Sequence, residues 1–431
     1  GQQTLSSLNF FCMKVLIKQA QIIDPASPFN GSRQDIFIDS GIIKNIGPAL
    51  SEKADHVLSG ASLVVSPGWV DIFANFADPG FEFKETLRTG AMAAAAGGFT
   101  DVFVIPNTRP VVDTKSQVEY IRKPTGIPVN IHPIGSVSRN AEGKDLAEMY
   151  DMHNSGALSF SDGLNPIQSA GLLLKALQYV RAFDGVIIQI PDDKSVGANG
   201  LINEGIISTR LGLPGKPLIA EELLVSRDIE LVKYAGSKIH FTGVTSPRSL
   251  EYIRKAKDAG LNVTCSVAPY HLYFTDEDLT GYDTYLKVYP PLRGKQEQKF
   301  LWDAIADGTV DCIATHHMPH EYDSKIIEFE YAKNGMIGLE TCYAALKSIL
   351  PAIPEKRWVE LLSLEPRKIF GLPQPVIKEN ETACITLFSP DEKVVVEESF
   401  FKSRAKNSPF TGKTLTGKVI GIIQQDNLFL R

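Results

Sequence analysis

Pro67-Gly-Trp-Val-Asp-Ile-Phe-Ala-Asn-Phe-Ala-Asp-Pro-Gly80 is where the pattern of this sequence changes. Before it, short β-rich runs (Val15–Ile17, Asp35–Asp39, Ile42–Ile46, Ser62–Val65) are separated by turn residues such as Pro25, Asn30-Gly31 and Ser40-Gly41. That is the reading of strands and hairpins in a small sandwich. After it, as far as about Gly371, apolar runs of strand length alternate with helical stretches. The strand candidates are Trp69–Ile72, Val102–Ile105, Val129–Ile134, Ala157–Phe160, Val186–Ile190, Ile239–Val244, Leu261–Val267 and Cys312–Ala314. Between them the spacing predicts helices at Lys84–Ala96, Lys115–Arg122, Asp145–His153, Ile167–Phe183, Glu221–Ala235, Pro247–Ala259 and Glu297–Asp307.

Eight strands in that rhythm predict an α/β fold with a parallel sheet closed as a (β/α)8 barrel over residues 67–371. An open doubly wound sheet usually has fewer strands and carries a Gly-rich phosphate turn, which this sequence lacks. The last segment returns to strands at Cys384–Phe388, Lys393–Val396, Lys418–Ile423 and Asn427–Leu430. Residues 13–66 with 372–431 therefore read as one composite β-sandwich domain built from both ends. Residues 1–12 read as an upstream extension or the remnant of a tag.

At 431 residues the chain suits one large barrel plus a smaller domain, and 43% hydrophobic with 22% charged residues is ordinary for a globular protein. A net charge of −6 gives neither a basic footprint for nucleic acid nor a polybasic membrane anchor. No apolar run approaches the roughly 18–20 residues that span a bilayer. Five scattered cysteines (Cys12, Cys265, Cys312, Cys342, Cys384) with no C-x-x-C pair point to reduced thiols, hence to the cytoplasm.

Several ordered blocks carry a resemblance: Pro67-Gly-Trp-Val-Asp71, Asp78-Pro-Gly-Phe-Glu-Phe-Lys-Glu-Thr86, Ala93-Ala-Ala-Ala-Gly-Gly-Phe-Thr100 and Pro106-Asn-Thr-Arg-Pro110. Leu286-Lys-Val-Tyr-Pro-Pro-Leu-Arg293, Asp311-Cys-Ile-Ala-Thr315, Gly338-Leu-Glu-Thr341 and Lys406-Asn-Ser-Pro-Phe410 complete them. From Met13 onward the chain resembles the class I dihydroorotases of the amidohydrolase superfamily. The resemblance implies zinc at the C-terminal mouth of a barrel, activating water to attack a cyclic ureide. It also implies six ligand positions, which carry over to Phe73, Asn75, Asp162, Gln189, Gly243 and His316. Of these only Asp162 keeps the residue that the resemblance implies, and His316 stands where the catalytic aspartate would be. Among substrate-holding positions Asn107 and His320 are retained, while an arginine is replaced by Ala77 and an asparagine by Tyr289.

Phenylalanine has no lone pair for a metal, and a carboxamide is a poor zinc ligand beside imidazole or thiolate. Zinc lowers the pKa of its water from about 15.7 to about 7, so losing it removes nucleophile and Lewis acid together. The leading expectation is therefore an inactive homologue with no zinc and no other cofactor, kept for assembly. The resemblance implies aspartate carbamoyltransferase or an active dihydroorotase as partner, and a homo-oligomer is expected. A second reading is a working cyclic amidohydrolase that is metal-independent or uses His316, His317, His320 and Asp162 as a relocated site. Neighbouring side chains at a strand end point to opposite faces, which weighs against one ion held by both His316 and His317. A third reading is a small-molecule binder using the old pocket. Asp162 without a cation requires hydrogen-bond donors or a raised pKa.

Overall fold

Every residue of Trp69–Ala74 is buried, as in a strand covered on both faces. In the computed structural model, which describes residues 13–431, this is barrel strand β1. The expected extension at residues 1–12 lies outside the described residues. The other barrel strands are β2 (Phe99–Val104), β3 (Asn130–Pro133), β4 (Ser159–Phe160), β5 (Val186–Gln189), β6 (Lys238–Phe241), β7 (Asn262–Val267) and β8 (Cys312–Ile313). Strands β1 to β3 pair in parallel, as do β4 to β8. Two parallel bridges, Gly135 with Phe160 and Ala74 with His317, join these arcs into a ring. The barrel expected from the sequence is the fold.

The β8–β1 seam is also held by a side chain. Buried Asp71 accepts hydrogen bonds from the Thr315 amide (2.8 Å) and hydroxyl (2.6 Å). Burial pushes the Asp71 carboxyl up to about 7 despite those donors.

Helix Leu87–Ala96 begins three residues later than the spacing predicts. Thr86 is its N-cap: the Thr86 hydroxyl accepts from the Thr89 amide, and the Thr89 hydroxyl receives the Thr86 amide. Lys84 and Glu85 thus stay in the loop, where Glu85 is free to enter the rim. Both chain ends build one eight-stranded sheet, with Cys384–Val395 running antiparallel to Val64–Pro67. The two C-terminal runs read separately at 384–388 and 393–396 belong to this single bulged strand. Val15, Ile17, Ile36, Val65, Ile385 and Ile423 fill the core of this sandwich. No helix among the described residues is long and apolar enough to cross a membrane.

Candidate functional site

In a parallel barrel, reacting groups collect where the strands end. After β1, Phe73 is fully buried with its ring centroid 4.6 Å from that of His316. Asn75 turns back on its own loop: its Oδ1 accepts from the Ala77 amide at 2.8 Å, and its Nδ2 lies 3.4 Å from the Met318 sulfur. Asp162, after β4, is met by hydroxyls of Ser136 and Ser138 and by the Ser138 amide. Burial still raises its pKa above the usual carboxylate range, against those hydrogen bonds. Asn107 is also engaged, donating to the Asp162 carbonyl and accepting from the Leu164 amide.

Strand β5 requires a correction. Gln189 faces away from the lumen, accepting from the Ile167 amide at 3.1 Å and donating to Asp228 at 3.0 Å in helix Ile219–Ala235. The next residue, Ile190, packs in the same cluster as Val186, Ile188 and Phe73. The mouth-facing position is therefore Ile190, one residue beyond the expected Gln189, because side chains alternate along a strand.

At the end of β6, Gly243 has φ +73°, and a Cβ there would lie 2.9 Å from His316 Cε1. The imidazole at 316 thus occupies the space that a side chain at 243 would need. His316 Nε2 is 2.8 Å from the Thr242 hydroxyl, which accepts from Ser266, which in turn lies 2.9 Å from His240 Nε2. Read along this chain, Thr242 donates to Nε2, so the His316 proton sits on Nδ1, which has no partner. Burial, reinforced by His271 and His240, pulls the His316 pKa down to about 3. An unfolded histidine protonates near 6.5, so this group's stabilisation is complete above that pH and lost as pH falls toward 3. Between pH 7 and 5, wild type should lose about 2 kcal/mol more stability than His316→Gln, measured by urea unfolding at both values.

The histidines expected as a possible cluster diverge. His317 donates from Nε2 to Glu85 at 3.1 Å and accepts the Gly338 amide at Nδ1. His320 donates to the Asn334 carbonyl, with the Lys84 ammonium 3.4 Å from its other nitrogen. Burial and Lys84 hold His320 down to about 4. Among the described residues no three His, Cys, Asp or Glu side chains come together to hold a metal. The donor set at the mouth does not fit zinc: Phe73, Ile190 and Gly243 offer no electron pair, and the Asp162 carboxylate is already bonded to Ser136 and Ser138.

A cavity of about 340 Å³ remains beside this rim, lined by Tyr270, Tyr289, His316, Met318, Asp192 and Lys216 among others. The Tyr289 hydroxyl donates to Asp192 at 2.6 Å, and the Lys216 ammonium lies 2.8 Å from the other Asp192 oxygen. Burial and the Asp192 charge raise the Tyr289 pKa far above its usual value, so it remains a neutral donor. Asp192 and Lys216 were not singled out from the sequence. Asp192 lies three residues beyond Gln189, and neither Asp192 nor Lys216 belongs to a block that carries the resemblance.

Residues 62–249 match a family described as dihydro-orotase-like. The dihydroorotase of Syntrophus aciditrophicus is 39% identical over 422 residues, covering 96% of this chain and 99% of the relative. That of Pelotomaculum thermopropionicum is 39% identical over 427 residues, 96% and 100% of the two chains. Among solved structures, an L-hydantoinase (dihydropyrimidinase) from Arthrobacter aurescens superposes with a TM-score of 0.83 at 23% identity, covering 97% of this chain and 96% of the other. A dihydropyrimidinase from Brevibacillus agri gives 0.80 at 21%, covering 97% and 95%. These likenesses carry the barrel-plus-sandwich architecture.

Proposed function

The chain belongs to the dihydroorotase family, and from that membership we propose that it is a non-catalytic member with a structural role in an assembly of pyrimidine synthesis. One observation carries the reading: the ligand positions at the mouth are filled or already engaged. Phe73 and Ile190 offer no electron pair, a Cβ at Gly243 would meet the His316 ring at 2.9 Å, Asp162 is bonded to neighbouring serines, and His316 Nε2 is engaged by Thr242. The partner of this reading is aspartate carbamoyltransferase, the alternative being an active dihydroorotase. Co-sedimentation of the purified chain with the transcarbamoylase of the same organism should give one joint boundary. Independent migration at micromolar concentration would remove the assembly role.

The cavity supports a second reading, binding of a small molecule in the old pocket. Its volume lies at the lower end of the roughly 300–1,000 Å³ typical of ligand sites. Thermal stabilisation by a ureide or a dicarboxylate is the corresponding measurement, and no shift at millimolar ligand would exclude it.

A further inference from the structure

The loop after β8 runs from Glu321 to Asn334 and puts apolar side chains into solvent. Tyr322 and Tyr331 are each 68% exposed, Ile326 52% and Ile327 43%. Phe83 and Tyr282, from neighbouring loops, are exposed as well. Phe83, Tyr285 and Tyr322 share the wall of one cleft of about 410 Å³, and Tyr282 contacts Phe329 at the base of the ridge.

This exposure is built into the loop. Lys325 is fully buried, and its ammonium donates to the carbonyls of Lys333 (2.6 Å) and Gly335 (2.9 Å). Lys287, also buried, donates to the carbonyls of Phe329 (2.8 Å) and Glu330 (3.0 Å). The Thr284 hydroxyl donates to the Lys325 carbonyl, and His320 holds Asn334. Burying two ammonium groups is costly, and here both are spent on backbone carbonyls of one surface loop. The loop is thereby fixed with Ile326 and Ile327 in solvent. Several exposed apolar side chains on one rigidly held loop are the usual mark of an interaction site.

We infer that the Tyr322–Tyr331 ridge is the docking surface for a different protein, one that offers an apolar socket rimmed by lysine and arginine. The occupant follows from charge. Asp323, Glu328 and Glu330 are exposed along the ridge against one exposed cation, Lys333. Arg404 and Lys406 line the cleft together with Glu321 and Glu398, so its charges balance and the net acidity lies on the ridge. A second copy would set acid against acid in a two-fold contact, and an anionic membrane surface would be repelled. Complementary charge at such a rim governs encounter and partner choice. The inference rests on the assembly role proposed above and assigns it a face.

A photo-crosslinking phenylalanine placed at Tyr322 or Tyr331 in the full chain, expressed in its own organism, tests the ridge, with Tyr234 as an exposed control. The expected result is an adduct with a protein other than this chain through a Lys/Arg-bearing peptide, at ridge positions only. Glu328→Lys with Glu330→Lys should lower its yield at least about tenfold while leaving the melting temperature unchanged. An absent adduct, a self-adduct, or one indifferent to charge reversal would overturn the inference. Co-sedimentation separates the two claims. If Ile326→Ser with Tyr331→Ser still migrates with the transcarbamoylase, the ridge fails and the assembly role stands. If the charge-sensitive adduct forms with another protein and the transcarbamoylase does not bind, the ridge stands and that partner fails.

Discussion

Purified chain given excess zinc should retain well under one equivalent, and should hydrolyse dihydroorotate at least about five orders of magnitude more slowly than a metal-bearing relative. Each 1.36 kcal/mol of lost transition-state stabilisation is about tenfold in rate, and several such contributions vanish together when the hydroxide source is lost. The sharper form of this experiment is reconstruction. Phe73→His, Asn75→His, Ile190→His, Gly243→His and His316→Asp together should recruit stoichiometric zinc, read by atomic emission. Removing the imidazole at 316 relieves the tightest contact that a side chain at 243 would make, leaving Pro290 at 3.1 Å to give way. The same set with Gln189→His in place of Ile190→His should recruit far less, because position 189 faces Asp228 in the helical layer. Full zinc occupancy in the unaltered chain would overturn the account of the rim.

Glu85→Ala should cost about 2–4 kcal/mol of stability, the effect of leaving several donors to one buried carboxylate without a partner. Glu85 is fully buried and links three distant pieces of chain. It pairs with His317 of the β8 loop at 3.1 Å, accepts the Arg404 amide at 2.8 Å, and is bonded by the hydroxyls of Ser403 and Thr89. Burial alone would raise its pKa, but His317, Ser403 and Thr89 outweigh that and hold it below the ordinary glutamate value. Truncation leaves those donors unpaired in the dry interior. The exposed pair Lys295–Glu277, at 2.8 Å, is the comparison, and Glu277→Ala there should cost less than about 1 kcal/mol. Urea midpoints of the two variants decide the matter, and equal shifts would contradict the role given to Glu85.

The barrel was legible because each strand is an apolar run bounded by helical spacing, so all eight candidates overlap a barrel strand. The register at the end of β5 was not. Val186-Ile-Ile-Gln-Ile190 is buried at every position, so no alternation of polar and apolar residues marks which side chain faces inward. Helix starts were misjudged where a cap decides, as at Thr86, since the helical pattern continues backward through Lys84 and Glu85. The chain from His240 through Ser266 and Thr242 to His316 was invisible because its members come from three strand ends far apart in sequence. Glu85 and Ser403 meet across 318 positions of sequence, a pairing that no local pattern records.

The rim groups are satisfied separately: Asp162 by Ser136 and Ser138, His316 by Thr242, Asn75 by the Ala77 amide. A chelated ion makes its contributors mutually dependent, so that one loss removes the common bond. Bonds made separately have no such dependence. A single histidine placed at one of these positions gains no chelate, and at Gly243 it meets a ring already in place, so a zinc site in this rim requires several substitutions at once.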